Sequence, residues 1–386
     1  MKKVLVVVLM LALVISLVAC TAAPTVSSAP ASSAAAESAA PASSEAAAAS
    51  ASTEKPYIAI VSKGFQHKFW QTVMAGSQDA AEKYGVEITF DGPPSESDIQ
   101  PQVDMVNAAL AKNPAALCLA ALDTSSLNEQ LKTCISKKIP VIGFDSGVPN
   151  APEGSIVSTA STNNESAGAL AADTMFKVDS IAAALKAATV DKPVIVSVIS
   201  QDATSASITG RTTGFVNEAV KLAEAISAGN VSVTGHDKWN KASTSGKTAI
   251  EISVTVAAST SVPDCQTAAQ AVLQTKPVGI FVTNSGTVDG LLAATTDGSD
   301  LDRTKGKFKD IVVIGFDSGK SLLNAVTNQW FYGAITQDPY QIGYKAVELA
   351  VKTLNGEKVD AVVDTGCKFY DAKTMSDPDI AKLLYE

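Results

Sequence analysis

Seven residues, Val-Ile-Gly-Phe-Asp-Ser-Gly, occur twice in this 386-residue chain, at 141–147 and again at 313–319. The two copies are about one domain length apart, which is far too long for the period of a solenoid. In each copy a run of apolar β-forming residues ends at an Asp and a Gly. Ligands of open parallel sheets bind beyond the carboxyl ends of the strands. The repeat therefore predicts two similar α/β lobes, with Asp145 and Asp317 on opposite walls of one cleft.

The N-terminus has the features of an export signal. Two lysines precede an apolar run at 4–19, which is short for a membrane span and closes with Leu-Val-Ala-Cys at 17–20. This ending resembles the lipobox of bacterial lipoproteins. The resemblance implies that a signal peptide, 1–19, is removed and that lipid is attached to the sulfur of Cys20. An ordinary secretory signal with an incidental Cys is the alternative.

Residues 20–54 are predicted to be the lipidated Cys followed by a disordered tether. The segment after Cys20 is almost entirely Ala, Ser, Pro and Thr, with a few Glu. Such a composition buries too little apolar surface to offset the entropy lost on ordering. The interspersed Ser and Pro argue against a helix. We expect the folded body to be held by its lipid anchor at the extracytoplasmic face of a bacterial cell membrane.

Charge and residue usage exclude several classes of function. The net charge is −9 with only two Arg, which is typical of a poor nucleic-acid binder. Two histidines leave little for a metal site or a Ser-His-Asp set. The run Ser-Thr-Ser-Gly-Lys-Thr at 243–248 ends like a phosphate-binding loop, but Lys241 stands where that motif needs Gly. We expect no metal, no cofactor and no catalysis.

The cysteines after position 20 do not form a recognisable metal motif, because no spacing among them resembles a metal knuckle. Buried free thiols are the favoured interpretation of these residues. A disulfide between Cys118 and Cys134 is the alternative in an exported protein. The four residues are Cys118, Cys134, Cys265 and Cys367.

Strand and helix patterns alternate along the folded part of the chain. The roughly 330 residues from Lys55 onward are too many for one compact core and favour two lobes. An order of βαβαβαβ implies right-handed crossovers and a parallel sheet covered by helices on both faces. The fold class expected from the pattern is therefore α/β, with two doubly wound parallel sheets.

A set of short motifs carries a resemblance to a known family. Residues 56–366 resemble the ribose-binding type of periplasmic sugar-binding protein, the substrate-capturing component of an ABC importer. Each motif alone is weak evidence of the resemblance, but together the motifs keep the order and spacing of the family over nearly the whole folded region. In chain order the motifs are Phe69-Trp70 with Gly76, Ile142-Gly143-Phe144-Asp145, Thr162-Asn163-Asn164, Arg211-Thr212-Thr213-Gly214-Phe215, Asn284, Gly315-Phe316-Asp317 and Gln337-Asp338-Pro339-Tyr340.

The resemblance implies a type I periplasmic-binding-protein fold, in which three hinge crossings join the two lobes. The expected crossings lie near Ser161–Asn163, Asn284–Leu292 and Gln337–Pro339. The expected division is an N-terminal lobe of 55–162 with 338–366, a C-terminal lobe of 163–337 and a C-terminal tail of 367–386.

The resemblance also implies a sugar site. A sugar ring has two apolar faces, which aromatic planes cover, and an edge of hydroxyls, which Asp, Asn, Gln and Arg bind. A buried hydroxyl left unpaired loses roughly 1–3 kcal/mol, so every hydroxyl needs a partner. Four aromatic residues would sandwich the ring, polar residues would bind its edge, and His67 stands where ribose binders carry Asn. The ten positions are His67, Phe69, Trp70, Asp145, Arg211, Trp239, Asn284, Phe316, Asp317 and Gln337.

Seven of these positions also have a structural interpretation. The two phenylalanines could be core residues, and Trp70 could pack one lobe against the other. The two aspartates could simply hold turns, since Asp-Ser-Gly is common turn chemistry. Arg211 and His67 could lie at the surface. For Arg211 the binding role is favoured. The chain has 28 Lys and only two Arg, so an Arg is expected where the planar guanidinium with its forked donors is needed.

Two departures from the ribose-binding pattern leave the identity of the sugar open. Ser146 follows Asp145 where ribose binders carry a second Arg, so one charged clamp is missing. Residues 240–263 exceed what the family has at this place. Within them, Ile250–Val256 is predicted to be an extra strand or a hairpin.

The resemblance predicts a monomeric binding protein that captures a monosaccharide in the cleft between its lobes and delivers it to an ABC permease. Ligand contacts with both walls would shift the population toward a closed form. The alternative partner is a membrane sensor kinase to which the protein presents its sugar. A DNA-binding repressor of the same fold is excluded by the export signal and by the missing helix-turn-helix.

Overall fold

The computed structural model describes residues 55–65 and 67–386. The predicted signal peptide, the lipidation of Cys20 and the tether therefore lie outside the described residues. No helix in the described part is both long enough and apolar enough to cross a membrane.

The chain first builds five strands with helices between them. These strands are short, and the three at 57–61, 116–119 and 141–144 are almost entirely apolar and buried, as expected for strands covered on both faces. The strands are β1 (Tyr57–Val61), β2 (Glu87–Asp91), β3 (Ala116–Leu119), β4 (Val141–Phe144) and β5 (Ile156–Ser161). The helices are α1 (Lys68–Tyr84), α2 (Ile99–Ala111) and α3 (Asn128–Lys137).

The following stretch repeats the alternation at greater length. Its helices are α4 (Asn164–Phe176), α5 (Asp179–Ala187), α6 (Ala206–Ile226), α7 (Val262–Gln274), α8 (Ser285–Ala294) and α9 (Lys320–Thr327). Its strands are β6 (Val194–Ser200), β7 (Val231–Thr234), β8 (Ile250–Val256), β9 (Gly279–Val282), β10 (Val312–Phe316) and β11 (Gly333–Gln337). The chain ends with α10 (Pro339–Leu354), β12 (Val362–Asp364), β13 (Cys367–Tyr370) and α11 (Pro378–Ala381).

These strands form two separate sheets, one in each lobe. The first has the order β12-β5-β4-β3-β1-β2 and is parallel throughout. The second has the order β13-β11-β10-β9-β6-β8-β7 and is parallel except for the antiparallel edge strand β13. The predicted α/β class with two doubly wound sheets is confirmed.

The chain passes between the two sheets three times. It leaves the first sheet between β5 and α4, and it returns between β11 and α10, at the places expected from the sequence. The third passage, Thr365–Gly366, links β12 to β13. The prediction of a crossing at Asn284–Leu292 is wrong, because Asn284 caps α8 and the rest of that segment lies within this helix of the second lobe.

The C-terminal residues are part of the second lobe, which corrects the interpretation of 367–386 as a tail. β13 pairs with β11 from Ala334↔Tyr370 to Gln337↔Cys367. Tyr370 and Ile380 belong to the hydrophobic core of that lobe. A backbone pairing partner at the edge of the sheet therefore draws this segment into the fold.

In each lobe a pair of helices packs with its backbones in close approach. A Cβ on Gly343 of α10 would lie 1.9 Å from the carbonyl oxygen of Val73 in α1. In the second lobe, a Cβ on Gly214 of α6 would lie 2.0 Å from the carbonyl oxygen of Glu165 in α4. Only glycine allows helices to meet at such distances. These contacts hold α1 against α10 and α6 against α4. Residues that line the cavity lie on α1 and α6, and α4 and α10 each begin where the chain passes from one lobe to the other.

The segment around 240–263 is organised by one additional strand. β8 lies between β6 and β7 and is parallel to both, so the predicted strand at Ile250–Val256 is confirmed and the hairpin is not. β7 thereby becomes the outermost strand of its sheet. The four cysteines in the described range are free, and three of them are buried, so no Cys118–Cys134 disulfide is formed.

Candidate functional site

One cavity lies between the lobes at the carboxyl ends of the strands. It draws residues from both sheets, from the first turns of α1 and α6 and from the start of α8. Asp145 and Asp317, the aspartates of the duplicated seven-residue sequence, both line it. The lining residues are Lys63, His67, Phe69, Trp70, Glu96, Asp145, Ile208, Arg211, Asn284, Ser285, Asp317 and Gln337.

The two copies of the repeat adopt the same unusual backbone. Asp145 follows β4 with φ 53°, and Asp317 follows β10 with φ 80°, so both lie in the left-handed region. Asp tolerates this region better than most residues because its short polar side chain bonds locally. Both side chains are buried, with relative exposures of 3% and 5%. The turn therefore holds each carboxylate at the end of its strand and points it into the protein.

On the first lobe, Asp145 is paired with Lys63. Their Nζ and Oδ2 atoms are 3.2 Å apart, and both side chains are nearly fully buried. The Lys63 ammonium also donates a 3.0 Å hydrogen bond to Oγ of Ser207, which belongs to α6 of the second lobe. Burial lowers the pKa of Lys63, but the carboxylates around it, Asp145 foremost, raise it by more. Lys63 is therefore a fixed cation that links the two walls.

Burial acts in the opposite direction on Asp145. Burial, together with the neighbouring Glu96 carboxylate, raises the pKa of this carboxyl by more than Lys63 and Arg211 lower it. Oδ2 faces Lys63 as an ion pair, but it has no hydrogen-bond partner within the described part of the chain. A buried acceptor without a hydrogen bond loses stabilisation that a donor group would restore. Asp145 thus presents an open acceptor to the cavity.

On the second lobe, Asp317 is held by several donors. Ser285 donates to Oδ2 from its backbone nitrogen at 3.1 Å and from its hydroxyl at 3.2 Å. Gln337, the last residue of β11, donates to Oδ1 at 2.6 Å. The amide oxygen of Gln337 is itself buried without a hydrogen-bond partner among the described residues. The second-lobe wall therefore contributes one unpaired acceptor, while Asp145 Oδ2 on the first-lobe wall is paired only with Lys63.

Arg211 is locked in place by its own contacts. Its Nε donates to the side chain of Asn164 and its Nη1 to the carbonyl oxygen of Thr283, both at 2.9 Å. Nη1 lies 3.9 Å from Oδ1 of Asp317. The guanidinium carbon lies 3.8 Å above the ring centroid of Phe316. Arg211 is buried, so the surface interpretation of this residue is wrong.

The stack with Arg211 corrects the expectation for Phe316. This ring is fully buried in the core of the second lobe and does not line the cavity. Its face is covered by the guanidinium, which is a favourable cation–π arrangement. Phe316 therefore supports a site residue and does not offer its face to a ligand.

Trp239 is also placed differently from the expectation. It lies in a separate groove of the second lobe beside α6, where its indole nitrogen donates to Thr213 Oγ1 at 2.9 Å. The reason is the order of the sheet. Because β8 separates β7 from β6, the segment that follows β7 begins at the outer edge and not at the central strands.

Two aromatic residues do line the cavity from the first lobe. Phe69 and Trp70 begin α1 and meet edge to face, with ring centroids 4.9 Å apart. Trp70 donates from its indole nitrogen to Glu96 at 2.8 Å. His67, half-buried, precedes the helix at the N-cap position. Asn284 is the N-cap of α8, and its side chain accepts from the backbone of Thr287 at 3.2 Å.

Two ionisable lining residues were not identified from the sequence. Lys63 follows β1 by two residues, so the same rule about strand ends that singled out the aspartates also applies to it. Glu96 lies in the loop between β2 and α2, and no sequence motif marks it. Among residues 55–65 and 67–386, no group of three His, Cys, Asp or Glu side chains is arranged to hold a metal ion.

Comparisons with known proteins agree with this architecture. The ribose import binding protein of Salmonella typhimurium is 27% identical over 309 residues, which cover 80% of this chain and 88% of that protein. A solved structure from Brachyspira murdochii, described as an ABC transporter, LacI family transcriptional regulator, has a TM-score of 0.71 at 38% identity and covers 86% of this chain and 99% of that chain.

An ABC transporter solute binding protein from Agrobacterium vitis, solved with bound D-fucose, has a TM-score of 0.70 at 26% identity. The match covers 85% of this chain and all of that one. The family model described as a periplasmic binding protein domain matches residues 58–358. With both lobes and all three passages in place, this chain belongs to the periplasmic binding protein family.

Proposed function

We propose that this protein captures a small sugar between its lobes and delivers it to an ABC permease. The observation that carries the proposal is the convergence of Asp145 and Asp317, from opposite lobes, on a cavity that also holds two aromatic rings. A sugar needs both kinds of group at once. The relatives support this substrate class, since one is a ribose import binding protein and another was solved with D-fucose.

The hydrogen-bonding capacity of the cavity suits hydroxyl groups. Gln337 Oε1 is an unpaired acceptor and Asp145 Oδ2 has only the Lys63 ammonium as a partner, so a ligand that brings donors to opposite sides of the cavity would bond to both. A hydroxyl donates to one group and still accepts from another. Lys63 and Arg211 supply cationic donors for the oxygens that accept. A polyhydroxylated ring therefore satisfies the site more completely than an apolar ligand.

The roles of the individual residues follow from their positions. Phe69 and Trp70 cover one face of the ring, while Asn284 and His67 reach its edge from opposite lobes. The second aromatic wall expected from Trp239 and Phe316 is not formed. Asp145, Arg211, Asp317 and Gln337 bind hydroxyls. Ser146 stands where ribose binders carry a second Arg, and Lys63 supplies the cation of the first lobe in its place.

The mechanism is closure of one lobe on the other. The three passages between the sheets allow the lobes to move apart without disturbing either core. A sugar that bonds to both walls stabilises the closed arrangement by its extra contacts in that state. The permease recognises this closed form. The protein changes no bond in the sugar, so we propose a carrier and not an enzyme.

The location proposed for this activity is the outer surface of the cell membrane, with the lipid on Cys20 as the anchor. Cys20→Ala is expected to yield unprocessed or shed protein, as judged by membrane fractionation and by the mass of the N-terminal peptide. A processed Cys20→Ala protein that is still held at the membrane by its own N-terminus would contradict the anchor.

Sugar binding is tested by a melting-temperature screen against pentoses, hexoses and polyols, followed by calorimetry on the hits. A sugar at 100 times its Kd is expected to stabilise the protein by about 2.7 kcal/mol. Arg211→Lys is expected to weaken binding by about tenfold or more, because Lys cannot reproduce the forked contacts of Arg211. Glu129→Gln, an exposed change far from the cavity, serves as the matched control. A panel in which no sugar shifts the melting temperature refutes the proposal.

A further inference from the structure

A chain of hydrogen bonds crosses the cleft beside the cavity. Glu96, in the first-lobe loop between β2 and α2, accepts from the indole nitrogen of Trp70 at 2.8 Å. Its other carboxylate oxygen accepts from the side-chain nitrogen of Gln201 at 2.9 Å. Gln201 follows β6 in the second lobe, and its amide oxygen accepts from Asn284. Two residues that face the proposed sugar from opposite lobes are thus connected through Glu96 and Gln201.

The chemistry of the four groups gives this chain a fixed direction. An indole N–H can only donate and an ionised carboxylate can only accept. Gln201 must therefore turn its nitrogen toward Glu96, which leaves its oxygen for Asn284. Asn284 donates to that oxygen, so its own oxygen is free to accept from the backbone of α8. The orientation of each amide is set by the carboxylate at the start of the chain.

The surroundings keep that carboxylate ionised. Burial raises the pKa of Glu96, but Lys63, His67 and the two donated hydrogen bonds lower it by more. Hydrogen bonds to an ionised acceptor are roughly twice as strong as neutral ones. The other bonds between this loop and the second lobe join uncharged groups, such as Ser97 with Thr260 at 2.9 Å and Ser95 with Thr260 at 3.4 Å. Glu96 is therefore the strongest polar link between the loop and the opposite lobe.

We propose that Glu96 is a positioning residue that couples closure of the lobes to the orientation of Trp70 and Asn284. This inference rests on the proposed sugar-binding function. The bond between Glu96 and Gln201 joins different sheets, so it forms only when the lobes are together. In the closed form both ligand-facing residues are held in one orientation, and in the open form Gln201 and Asn284 lose that constraint. The link therefore slows the release of a bound sugar.

The test exchanges the carboxylate of Glu96 and the amide of Gln201, whose hydrogen bond links the two lobes. Glu96→Gln removes the charge, and Gln201→Glu places two carboxylates in contact, so each single variant breaks the link. In the double variant Glu96→Gln/Gln201→Glu, the amide introduced at position 96 accepts from Trp70 and donates to the carboxylate at position 201. That carboxylate still accepts from Asn284. All bonds are then restored with the charge on the other lobe.

The first measurement is made with D-fucose or D-ribose at saturation, because the bond between Glu96 and Gln201 forms only in the closed form. The indole N–H resonance of Trp70 is followed by two-dimensional NMR and assigned with Trp70→Phe. Gln201→Glu, on the opposite lobe, is expected to move this resonance, and the double variant to return it toward its wild-type position. A resonance of the sugar-saturated protein that Gln201→Glu leaves in place overturns the inference, while the proposed function stands because a sugar has bound.

The second measurement is the dissociation rate of D-fucose and D-ribose by stopped flow. Each single variant is expected to release its sugar about tenfold faster or more, since a hydrogen bond to a charged group contributes roughly 1.5–3 kcal/mol. The double variant should recover most of the wild-type rate, and Glu129→Gln should match the wild type. If the wild type binds neither these sugars nor any of the panel, the proposed function fails. If the wild type binds and the double variant is as fast as the single ones, the inference alone fails.

Discussion

Replacing Asp145 with Asn separates the two tasks of this residue, which are to balance Lys63 and to bind a ligand. The backbone at position 145 is left-handed, and Asn tolerates this region nearly as well as Asp. Asp145→Asn therefore removes the charge without adding the strain of roughly 1–2 kcal/mol that Ala would add there. What remains is the effect on the buried ammonium of Lys63.

The expected loss of stability follows from the geometry of the pair. Removing one partner of a buried ion pair destabilises a protein by about 3–5 kcal/mol. The lower end applies, because Glu96 and Asp202 still attract Lys63 and Ser207 still accepts its hydrogen bond. We expect a loss of about 3 kcal/mol in the free energy of unfolding, measured by urea denaturation without sugar. Affinity for the sugar should fall about ten- to a hundredfold in calorimetry.

A second substitution decides whether this reasoning is right. In Lys63→Met/Asp145→Asn both charges of this pair are gone, so stability should recover part of the loss, but not all of it because the buried Glu96 also loses the attraction of Lys63. Affinity should stay low, because neither ligand-binding group is restored. Glu129→Gln breaks an exposed pair with Lys132 and should change stability by less than about 0.5 kcal/mol. A double variant as unstable as Asp145→Asn would refute the assignment of the loss to the unpaired ammonium.

Three further outcomes are expected. Trp70→Phe should abolish the change in intrinsic fluorescence on sugar binding, while Trp239→Phe and Trp330→Phe should preserve it; the reverse pattern would place the ligand elsewhere. Although burial raises the pKa of Glu348, three hydrogen bonds hold it at about 2, so Glu348→Gln should lose about 1–2 kcal/mol of stability at pH 7. Because the lowered pKa stabilises only above the ordinary value near 4.5, this difference should shrink as pH falls toward 2 in parallel urea titrations. Gly214→Ala should lower the free energy of unfolding by at least about 1–3 kcal/mol, since its Cβ would meet a backbone oxygen; an unchanged urea midpoint would contradict the close approach.

The fold was predictable because its signals are local and repeated. The same strand-end sequence occurs twice, at Asp145 and at Asp317. This repetition predicts two sheets, and the prediction does not depend on how the sheets pack. The C-terminal strand was missed for the opposite reason. Residues such as Cys367 and Lys368 carry no alternation or turn chemistry that specifies an edge pairing with Gln337 and its neighbours. That pairing depends on a strand that lies about thirty residues earlier in the chain.

The candidate site was predictable only where a strand end or a family motif marks the residue. Asp317 follows from the rule that residues at strand ends face the cleft of parallel sheets, whereas Arg211, in the second turn of α6, was indicated by its family motif and by the scarcity of Arg in the chain. Trp239 was misplaced because the sequence does not reveal that β8 inserts between β6 and β7. Phe316 was correctly placed at a strand end, but which face of a ring is free depends on its neighbours, and here Arg211 covers it. Glu96 lies in a loop whose path only the folded structure determines.

The left-handed turns at Asp145 and Asp317 restrict how this cleft can be adapted to another ligand. Of the twenty residues, only Gly, Asn and Asp enter that backbone region readily, so substitution there exchanges a carboxylate for an amide or for nothing. Larger side chains would first have to overcome backbone strain. His67 stands at the N-cap of α1 with φ −101° and is free of this limit. A directed-evolution library meant to change specificity should therefore randomise His67 and leave the two aspartates fixed, together with Lys63, whose charge balances Asp145.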